Sequence, residues 1–582
     1  MSHKLSRRGL LSSGALAGVA TAVSGCKTGQ NETMFSAATG RATGTFAHGI
    51  ASGDPLSNAV ILWTRITPAD ANGGPVQLRW EISKTSDFST AEHSGTVRAI
   101  AASNWTAKVD AKGLQAGTHY HYRFLLGDEA SPVGRTRTLP EGDVDSVRFA
   151  IVSCSNWQDG YFNAYDHIAR QDGIDAVIHL GDYLYEYGAD GYEGTEMANQ
   201  GHLHEPRHEI ISLEDYRIRH AQYRTDPSLQ AMSAKFPLIT IWDDHETSND
   251  SWQSGAENHD PEMEGSWEAR KQAAMRAYYE WMPIRDPEDG KTRESLFRSL
   301  DYGDLLSLVT VETRLTERAE PLIVENYKDD ILAEDGAERF KREVLGDPSR
   351  EMYGKIQEDF IIDSLKTSKE TGKIWRVIAN QVIMGRLLTP NLEPYVDESA
   401  VAAIEAVWPG VRDMVVLSKF NLPVYPDSWD GYPAARNRFY DRLIENKLED
   451  IFVLTGDAHE FWMNDLTTDA GQKVGVEVVT SAVSSETLIK YMGGGTEDYA
   501  LLLTQANEDA RYYNPLHNGY CDITFGRSSA EVHMIAISNT QSLDYSASEL
   551  ASFTVRPAKG KLSISNAKGL NLKQRALFNG LG

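Results

Sequence analysis

Apolar and polar residues alternate in short runs over the first part of the chain, and Gly, Pro, Ser and Asp separate these runs. The runs lie at residues 59–64, 76–82, 95–100 and 105–109. A period of two is typical of half-buried β-strands, and the polar turns between them favour an all-β unit. Residues 113–124 resemble the tyrosine-corner region of fibronectin type III-like sandwiches. We therefore predict a β-sandwich over residues 43–142, with a linker at residues 139–143.

The pattern changes after residue 146, where short apolar runs alternate with amphipathic segments of helical spacing. The apolar runs are residues 147–152, 176–180, 238–242, 305–311, 374–379 and 451–454. The helical segments are residues 162–171, 268–282, 352–366 and 436–447. This order predicts an α/β fold with helices packed on the faces of the sheets. Further strands are predicted at residues 474–479, 520–525 and 532–537.

These patterns set the limits of a second domain at residues 143–540. A long insertion at residues 186–235, with a helix predicted at 213–224, interrupts it. Long insertions beside strand ends often form the walls of a site. Residues 541–582 match no pattern, and we leave them as a C-terminal tail of unclear role.

The first 26 residues resemble an export signal. Arg7 and Arg8 precede an apolar, Gly- and Ala-rich segment, as in twin-arginine signals, and residues 23–26 resemble a lipobox that ends at Cys26. We predict export through the twin-arginine machinery to the periplasm or cell envelope, lipidation of Cys26, and a tether at residues 27–42. The alternative is a cleavable signal with an incidental cysteine. No later stretch approaches about 18 unbroken apolar residues, so a lipid anchor is the only membrane attachment that we expect.

Composition and charge narrow the functional classes. The 582 residues are 41% hydrophobic and 24% charged, which is an ordinary globular composition. The formal net charge of −26 disfavours a nucleic-acid platform, because phosphates are repelled. Three widely spaced cysteines exclude a disulfide scaffold. We expect a monomer.

Candidate metal ligands follow the apolar runs, where strands of α/β enzymes present site residues. They are Cys154, Asp182, Tyr185, Asp244, Asn380, Asp457 and His459. Asp182 can bridge two cations with its two oxygens, while a thiolate from Cys154 and a phenolate from Tyr185 suit iron(III). His245 can bind a phosphate oxygen or protonate a leaving group, with Glu246 orienting its ring.

Several of these residues also have structural interpretations. Cys154 on its own can be a buried core cysteine, and Asn380 can be a turn cap. The three histidines His202, His204 and His208 form either a separate metal site or only a loop near the pocket. Each of these motifs taken alone does not distinguish the structural role from the metal-binding role.

Taken together, the motifs resemble the alkaline phosphatase D (PhoD) family. The strings are SCSNWQDGYFNAY, HLGDYLYEYG, DYRIRHAQYRTDP, IWDDHETSND, DSWDGYPAAR and VLTGDAHEFW, and the opening FAHGIASGDPLSNAVILWTRITP resembles the N-terminal domain of that family. The resemblance covers residues 46–525. It implies an α/β (α+β) metallophosphoesterase core, a two-sheet sandwich flanked by helices, after an all-β fibronectin type III-like domain.

The resemblance also implies one iron(III) and two calcium ions. Carried over by motif, the iron ligands are Cys154, Asp182, Tyr185 and His459, and the calcium ligands are Asp182, Asp244, Asn380 and Asp457. Independently, oxygen-only donors favour calcium or magnesium over zinc. For the third ion, Asn156, Asp243 and Asn249 are candidates. The chain departs from the family pattern at Ser155 and Glu312, neither of which is a proposed ligand.

The implied function is an exported alkaline phosphatase that hydrolyses phosphate monoesters and diesters with a metal-bound hydroxide. His245 and Asn156 are the predicted catalytic residues. A phospholipase D-type phosphodiesterase on the same fold is the first alternative. The second is a non-catalytic exported binding protein that works through its β-sandwich, which would be expected to lack some of the ligands.

Overall fold

The structure, a computed structural model, describes residues 43–566 except 71–73, 192–194, 397, 406–409 and 488–495. The predicted signal, tether and lipidation site at Cys26 lie outside the described residues. Across the described part, no helix is long and apolar enough to cross a bilayer.

The strands belong to two large sheets and two small ones. In chain order they are β1 (Gly44–Thr45), β2 (Ile50–Gly53), β3 (Ala59–Arg65), β4 (Thr67–Pro68), β5 (Val76–Ser83), β6 (His93–Ala99), β7 (Thr106–Lys112), β8 (His119–Leu126), β9 (Glu129–Ala130), β10 (Gly134–Arg137), β11 (Ser146–Val152), β12 (Ala176–His179), β13 (Leu238–Thr240), β14 (Arg298–Tyr302), β15 (Leu306–Thr310), β16 (Trp375–Ala379), β17 (Ile451–Thr455), β18 (Phe461–Thr467), β19 (Lys473–Val479), β20 (Ala510–Asn514), β21 (Gly519–Gly526), β22 (Ala530–Ile537), β23 (Ala547–Ala558) and β24 (Lys561–Asn566).

Most α-helices lie in the connections between these strands. They are α1 (Asn163–Arg170), α2 (Thr195–Asn199), α3 (Leu213–Tyr223), α4 (Pro227–Lys235), α5 (Pro261–Glu264), α6 (Trp267–Trp281), α7 (Lys328–Leu332), α8 (Gly336–Phe340), α9 (Gly354–Glu370), α10 (Glu398–Glu405), α11 (Val411–Ser418), α12 (Pro433–Glu445) and α13 (Thr496–Ala506). Short 3-10 turns lie at Ala101–Ser103, Trp157–Asp159, Val324–Tyr327 and Trp429–Gly431, and a π-helical turn lies at Lys341–Leu345. The start of α3 follows from its sequence, because Ser212 and Asp215 form a capping box there.

The two large sheets carry the predicted α/β pattern. The ten-stranded sheet has the order β24-β23-β22-β21-β11-β12-β13-β2-β3-β7, and the seven-stranded sheet has the order β14-β15-β16-β17-β19-β18-β20. Within them, β11, β12 and β13 are parallel neighbours, as are β15, β16, β17 and β19. Parallel strands need long crossovers, and helices such as α1, α9 and α12 provide them.

The sheets form a sandwich because the central strands are apolar on both faces. Val177 of the ten-stranded sheet and Val377 of the seven-stranded sheet belong to one buried cluster. The neighbouring Ile378 points the other way, into a second cluster with Ile361 of α9 and Phe439 of α12. The predicted two-sheet core flanked by helices is therefore confirmed.

The N-terminal region forms the predicted all-β unit, but it is not separate from the core sheet. Its five-stranded sheet, ordered β10-β8-β5-β6 with β9 beside β8, shares a hydrophobic cluster with β2 and β3. The Tyr120 hydroxyl accepts a hydrogen bond from the Gln115 backbone N–H at 2.9 Å, as in a tyrosine corner. β2 also pairs in parallel with β13 through Gly53 and Leu238. The predicted limit near residue 142 thus divides the chain but not the sheets.

The predicted C-terminal tail also needs correction, because strands continue beyond residue 540. β23 pairs with β22, and β24 pairs with β23, which extends the ten-stranded sheet. Phe553 and Val555 of β23 are buried in the main cluster, whereas Arg556 is exposed. Residues 551–555 are all buried, but apolar and polar residue types alternate over residues 551–556, which is a strand signal in the sequence.

Replacing Phe553 tests whether the C-terminal strands belong to the core. The ring is buried, and its centroid lies 5.7 Å from that of Tyr512. Phe553→Ala leaves a cavity there, and we expect the free energy of unfolding to fall by about 3–5 kcal/mol in a denaturant titration. Leu543→Ala is the control, because that side chain is 66% exposed and its loss costs about 0.5 kcal/mol or less. Equal effects of the two substitutions would contradict the packing of β23.

Candidate metal centre

Four of the predicted ligand strings meet where strands of both large sheets end. They follow β11, β12 and β13 in the ten-stranded sheet and β17 in the seven-stranded sheet. The carboxyl ends of parallel strands share one edge, so their side chains converge. The two edges are joined directly, because the Asp457 backbone N–H donates to the Ser153 hydroxyl at 3.3 Å.

Two glycines allow this close approach. A Cβ atom on Gly181, whose φ is +108°, would lie 2.4 Å from the Cβ of Asp243. A Cβ atom on Gly456 would lie 2.4 Å from the Ser153 hydroxyl oxygen. Both contacts are far inside van der Waals distance, so larger residues would separate the strand ends.

Four predicted ligands lie on left-handed backbone. The φ angles are 59° at Cys154, 55° at Asp182, 63° at Asp457 and 57° at His459. This conformation is unfavourable for residues with a side chain and concentrates at functional sites. The surrounding fold therefore holds these residues in place against their own local preference.

The four predicted iron ligands form one group, in which Cys154, Asp182 and Tyr185 are buried and His459 is partly buried. Oδ2 of Asp182 lies 3.3 Å from the Cys154 sulfur and 3.3 Å from the Tyr185 hydroxyl oxygen. That hydroxyl oxygen is also 3.1 Å from Nε2 of His459. Nδ1 of His459 is 2.8 Å from the Glu486 carbonyl oxygen, to which it can only donate, so Nε2 is left as an acceptor facing the group. The geometry suits a cation with sulfur, oxygen and nitrogen ligands.

Without a bound cation, burial determines the protonation states of Cys154, Tyr185 and His459. It raises the pKa of both Cys154 and Tyr185 well above their usual values, and the Asp182 charge raises them further. Burial lowers the pKa of His459 to about 4, so its ring is neutral. A bound cation favours the thiolate and phenolate and accepts a neutral imidazole. The donors therefore fit the iron(III) that the family resemblance implies.

A second group consists of carboxylates. Ligand oxygens of Asp182, Asp243, Asp244 and Asp457 all lie within 4.8 Å of one another. Oδ1 of Asp182 and Oδ2 of Asp243 accept no hydrogen bond from any described residue, although both are buried. Burial, followed by neighbouring carboxylates, raises the pKa of Asp457 well above 3.8. Buried oxygens of this kind fit a hard cation such as calcium.

Arg314 lies within this carboxylate group and was not predicted. Its guanidinium donates to Asp243, to Asp427 at 2.6 Å and to Asp457 at 3.0 Å, and it lies 3.5 Å from Asp244. Residues 312–314 attracted notice in the sequence only as a departure from the family pattern. A lone arginine after a strand carries no signal that it turns into a site.

His245 is oriented by Glu186 and not by Glu246. Its Nδ1 lies 2.7 Å from Oε2 of Glu186, and its ring stacks on Tyr185 with centroids 4.1 Å apart. Glu246 instead accepts backbone N–H bonds from Asp182, Tyr183 and Asp243, at 3.0, 2.7 and 2.8 Å. The prediction for Glu246 is wrong, since its carboxylate holds two strand-end loops together. Glu186 directly follows Tyr185 in the predicted motif and was overlooked.

Asn380 does not join the carboxylate group. Its Oδ1 accepts a hydrogen bond from the Tyr353 hydroxyl at 3.3 Å, and its Nδ2 donates to the Val382 carbonyl. Side chains alternate along β16, and Asn380 follows the face of Ile378, which packs away from the other sheet. Gln381 faces inwards in its place and donates to the Trp242 carbonyl at 2.9 Å. The structure thus contradicts the prediction that Asn380 is a ligand.

The remaining candidates lie around the group. Asn156 is buried, and its Oδ1 accepts from the Gln158 backbone N–H at 3.1 Å. Asn249 lies on the wall of the cavity, where its backbone N–H donates to Glu186 at 2.8 Å. The three histidines of the alternative metal site have separate partners. The rings of His202 and Trp157 stack, those of His204 and Tyr223 lie parallel, and His208 contacts Asp215 at 3.1 Å.

Both ligand groups border a cavity of about 550 Å³. Its walls are formed by Asp182, Tyr187, Asp244, His245, Asn249, Asp250, Glu257, Asn258, Asp457 and His459. Tyr187 comes from the predicted long insertion, so the expectation that the insertion forms a wall is met at this point. A cavity of this size holds a small ligand between the two ligand groups.

Two packed sheets with thiol, imidazole and carboxylate groups at their strand ends are typical of hydrolases that bind metal ions. A family model described as PhoD-like phosphatase matches residues 149–534, and one described as PhoD-like phosphatase, N-terminal domain, matches residues 32–140. The chain belongs to the PhoD-like phosphatase family.

Comparison with individual proteins agrees with this assignment. The chain is 36% identical over 462 residues to alkaline phosphatase D of Bacillus subtilis (strain 168), which covers 76% of this chain and 69% of the relative. The solved structure of PhoD superimposes with a TM-score of 0.72 at 31% identity, covering 90% of this chain and 92% of that one. The resemblance stated from the motifs is confirmed, and family membership supports phosphatase activity.

Proposed function

We propose that this protein is an exported alkaline phosphatase that hydrolyses phosphate monoesters and diesters at an iron–calcium centre. The observation that carries the proposal is the pair of buried ligand groups that share Asp182. One group offers a thiol, a phenol and an imidazole, and the other offers only carboxylates. The first donor set suits iron(III), and a set of carboxylates alone suits calcium.

Cys154, Asp182, Tyr185 and His459 would hold iron(III). Asp182, Asp244 and Asp457 would hold calcium, with the unbonded Oδ2 of Asp243 in place of Asn380. When bound, these cations would supply Lewis acidity and offset the charge on the phosphoryl oxygens. The place of a second calcium ion, and a role for Asn156, stay predictions.

The protein's own contribution is to orient an acid and enclose the phosphate. Glu186 holds Nδ1 of His245, which leaves Nε2 as the atom that can give a proton to the leaving oxygen. Burial alone would lower the pKa of His245. The charges of Asp244, Glu186 and Asp182 outweigh this effect and raise the pKa well above 6.5. Diesters are included because the cavity of about 550 Å³ exceeds the needs of one phosphoryl group.

Removal of the Cys154 thiol tests both the iron site and the reaction. Cys154→Ala deletes a ligand atom 3.3 Å from Asp182, so we expect bound iron and phosphatase activity to fall together by at least ten-fold. Elemental analysis and hydrolysis of p-nitrophenyl phosphate and bis-p-nitrophenyl phosphate measure the two effects. Cys521→Ala is the matched control, because Cys521 is buried within the hydrophobic cluster. Normal iron content with full activity in Cys154→Ala would refute the iron assignment.

Glu186→Gln tests the orientation of His245. The substitution keeps the shape of the side chain but removes the charge beside Nδ1, and we expect kcat to fall about 10- to 100-fold with unchanged iron and calcium. The loss should be larger for phenyl phosphate than for p-nitrophenyl phosphate, since a poorer leaving group depends more on an acid.

The control for this experiment is Glu257→Gln, which alters an exposed carboxylate on the same cavity. Equal losses for both substrates would mean that Glu186 has only a structural role, and lost metal would mean that it supports the ligands.

The cellular location follows from the N-terminal motif alone. We propose twin-arginine export, lipidation at Cys26 and a monomer in the periplasm or cell envelope. Arg7→Lys together with Arg8→Lys should leave the protein in the cytoplasm, because the machinery reads the arginine pair. Cell fractionation with immunoblotting measures the distribution. Lys27→Arg, which changes a basic residue outside the pair, should be exported normally. Export of the double variant would overturn the twin-arginine assignment.

A further inference from the structure

Arg224, at the end of α3, is a buried cation without an ion-pair partner among the described carboxylates. The residue is 0% exposed, and no carboxylate or carbonyl among the described residues accepts a hydrogen bond from Nε, Nη1 or Nη2, which leaves the Tyr183 hydroxyl as the one contact of this kind. Its neighbours Arg219 and Arg270 are also buried, but their guanidinium groups are bonded to carbonyls or carboxylates. A buried guanidinium without a charged partner, and with one hydroxyl as its acceptor, is unfavourable.

Aromatic rings surround this guanidinium. Its Cζ lies 4.7 Å from the ring centroid of Trp63 and 5.7 Å from that of Tyr183. The Trp281 ring lies 5.8 Å from Trp63 and stacks 6.1 Å from His220. Cation–π contacts offset part of the lost hydration, but they do not supply hydrogen-bond acceptors for the N–H groups of the guanidinium edge.

The surrounding groups form no ion pair with the guanidinium. The carboxylates of Asp226 and Glu246 act on Tyr183 at longer range, and none of the described carboxylates forms a salt bridge with Arg224. Nε1 of Trp281 and Nδ1 of His220 are buried without a hydrogen-bond partner among described residues. Burial, followed by the Arg224 charge, lowers the pKa of His179 and of His220 to about 3, so both rings are neutral. The positive charge of Arg224 therefore lies among neutral side chains that do not pair with it as ions.

We propose that Arg224 binds a small inorganic anion, of the size and charge of chloride, inside the protein. One monovalent anion neutralises the guanidinium and accepts hydrogen bonds from several N–H groups at once, whereas the Tyr183 hydroxyl supplies one neutral acceptor. Tyr183 follows Asp182 directly, so the anion would steady the loop behind the candidate metal centre. This site is separate from the carboxylate cavity and does not depend on the proposed reaction.

Bromide diffraction tests the site on the unaltered full chain. Crystals grown without chloride are soaked in sodium bromide, and anomalous data are collected at the bromine absorption edge. We expect a peak within hydrogen-bonding distance of the Arg224 guanidinium. Bromide peaks confined to the surface, with only water beside Arg224, would overturn the proposal.

A thermal experiment gives a second measurement. Sodium chloride is compared with sodium gluconate at equal ionic strength, which keeps the screening of the charge of −26 constant. Ligand binding should raise the melting temperature of the unaltered protein by about 1 °C for each ten-fold rise in chloride above the dissociation constant.

Arg224→Gln should abolish this rise. Arg65→Gln is the matched control, because Arg65 packs on Trp281 at 5.2 Å but its nitrogens are bonded to Asn104 and Thr67, so the chloride effect should persist. A chloride effect retained in folded Arg224→Gln would contradict the assignment, and the bromide experiment remains decisive if that variant does not fold.

Discussion

Mutual repulsion among buried carboxylates is the constraint on which the candidate centre depends. Asp182, Asp243, Asp244 and Asp457 approach within 4.8 Å of one another, and the first three are buried while Asp457 is partly exposed. Two unit charges about 4 Å apart repel by roughly 4 kcal/mol at an effective dielectric constant near 20. Four such charges cannot persist without cations, so the fold must bring positive charge to the same place. Arg314 supplies one permanent charge, and the proposed metal ions would supply the rest.

The fold resists this repulsion through the backbone and not through apolar packing alone. Glu246 accepts three backbone N–H groups from the loops that carry Asp182 and Asp243. Gly456 lets strand ends of the two sheets approach without a side chain between them, and Gly181 does the same for the ends of β12 and β13 within one sheet. Because these contacts determine the loops from several directions, the ligands can keep a left-handed backbone that none would adopt unaided. These several contacts keep the ligand atoms close together although the carboxylates repel one another.

Much of this arrangement could be predicted from the sequence, because local pattern determines where strands end. The motifs that hold Cys154, Asp182, His245 and His459 follow apolar runs whose length and β-branched content indicate buried strands. Each motif therefore lies at a strand end, whatever the rest of the chain does. Long-range pairing is different, since nothing near Gly53 indicates that β2 joins β13, about 185 residues later in the chain.

The errors at the site have the same physical origin. Asn380 follows a strand, as the carboxylates of the candidate metal centre do. The alternation of side chains along β16, however, places Asn380 on the face of Tyr353. Which face of β16 packs against the other sheet depends on how the two sheets assemble, and the sequence around Asn380 does not indicate this. Glu186 follows the predicted ligand Tyr185, and Glu246 follows His245. Only the path of the loops determines that Glu186 contacts the imidazole. Arg314 lies two residues after Glu312, where the chain departs from the family pattern, but its contacts arise only when both sheets are assembled.

Arg314 also determines what must bind the substrate. A protein of net charge −26 repels a phosphate ester at long range, so the local field at the cavity has to be reversed. Arg314 and Arg318 cannot do this, because both are buried and their guanidinium groups are already engaged by Asp243, Asp427 and Asp457. Apart from His245, whose pKa the neighbouring carboxylates raise, positive charge for the phosphoryl oxygens would therefore come from the proposed metal ions on the carboxylate oxygens that the arginines leave free. Two roles of positive charge are then separated. The Arg314 guanidinium holds the carboxylates together, and the proposed metal ions would bind the substrate.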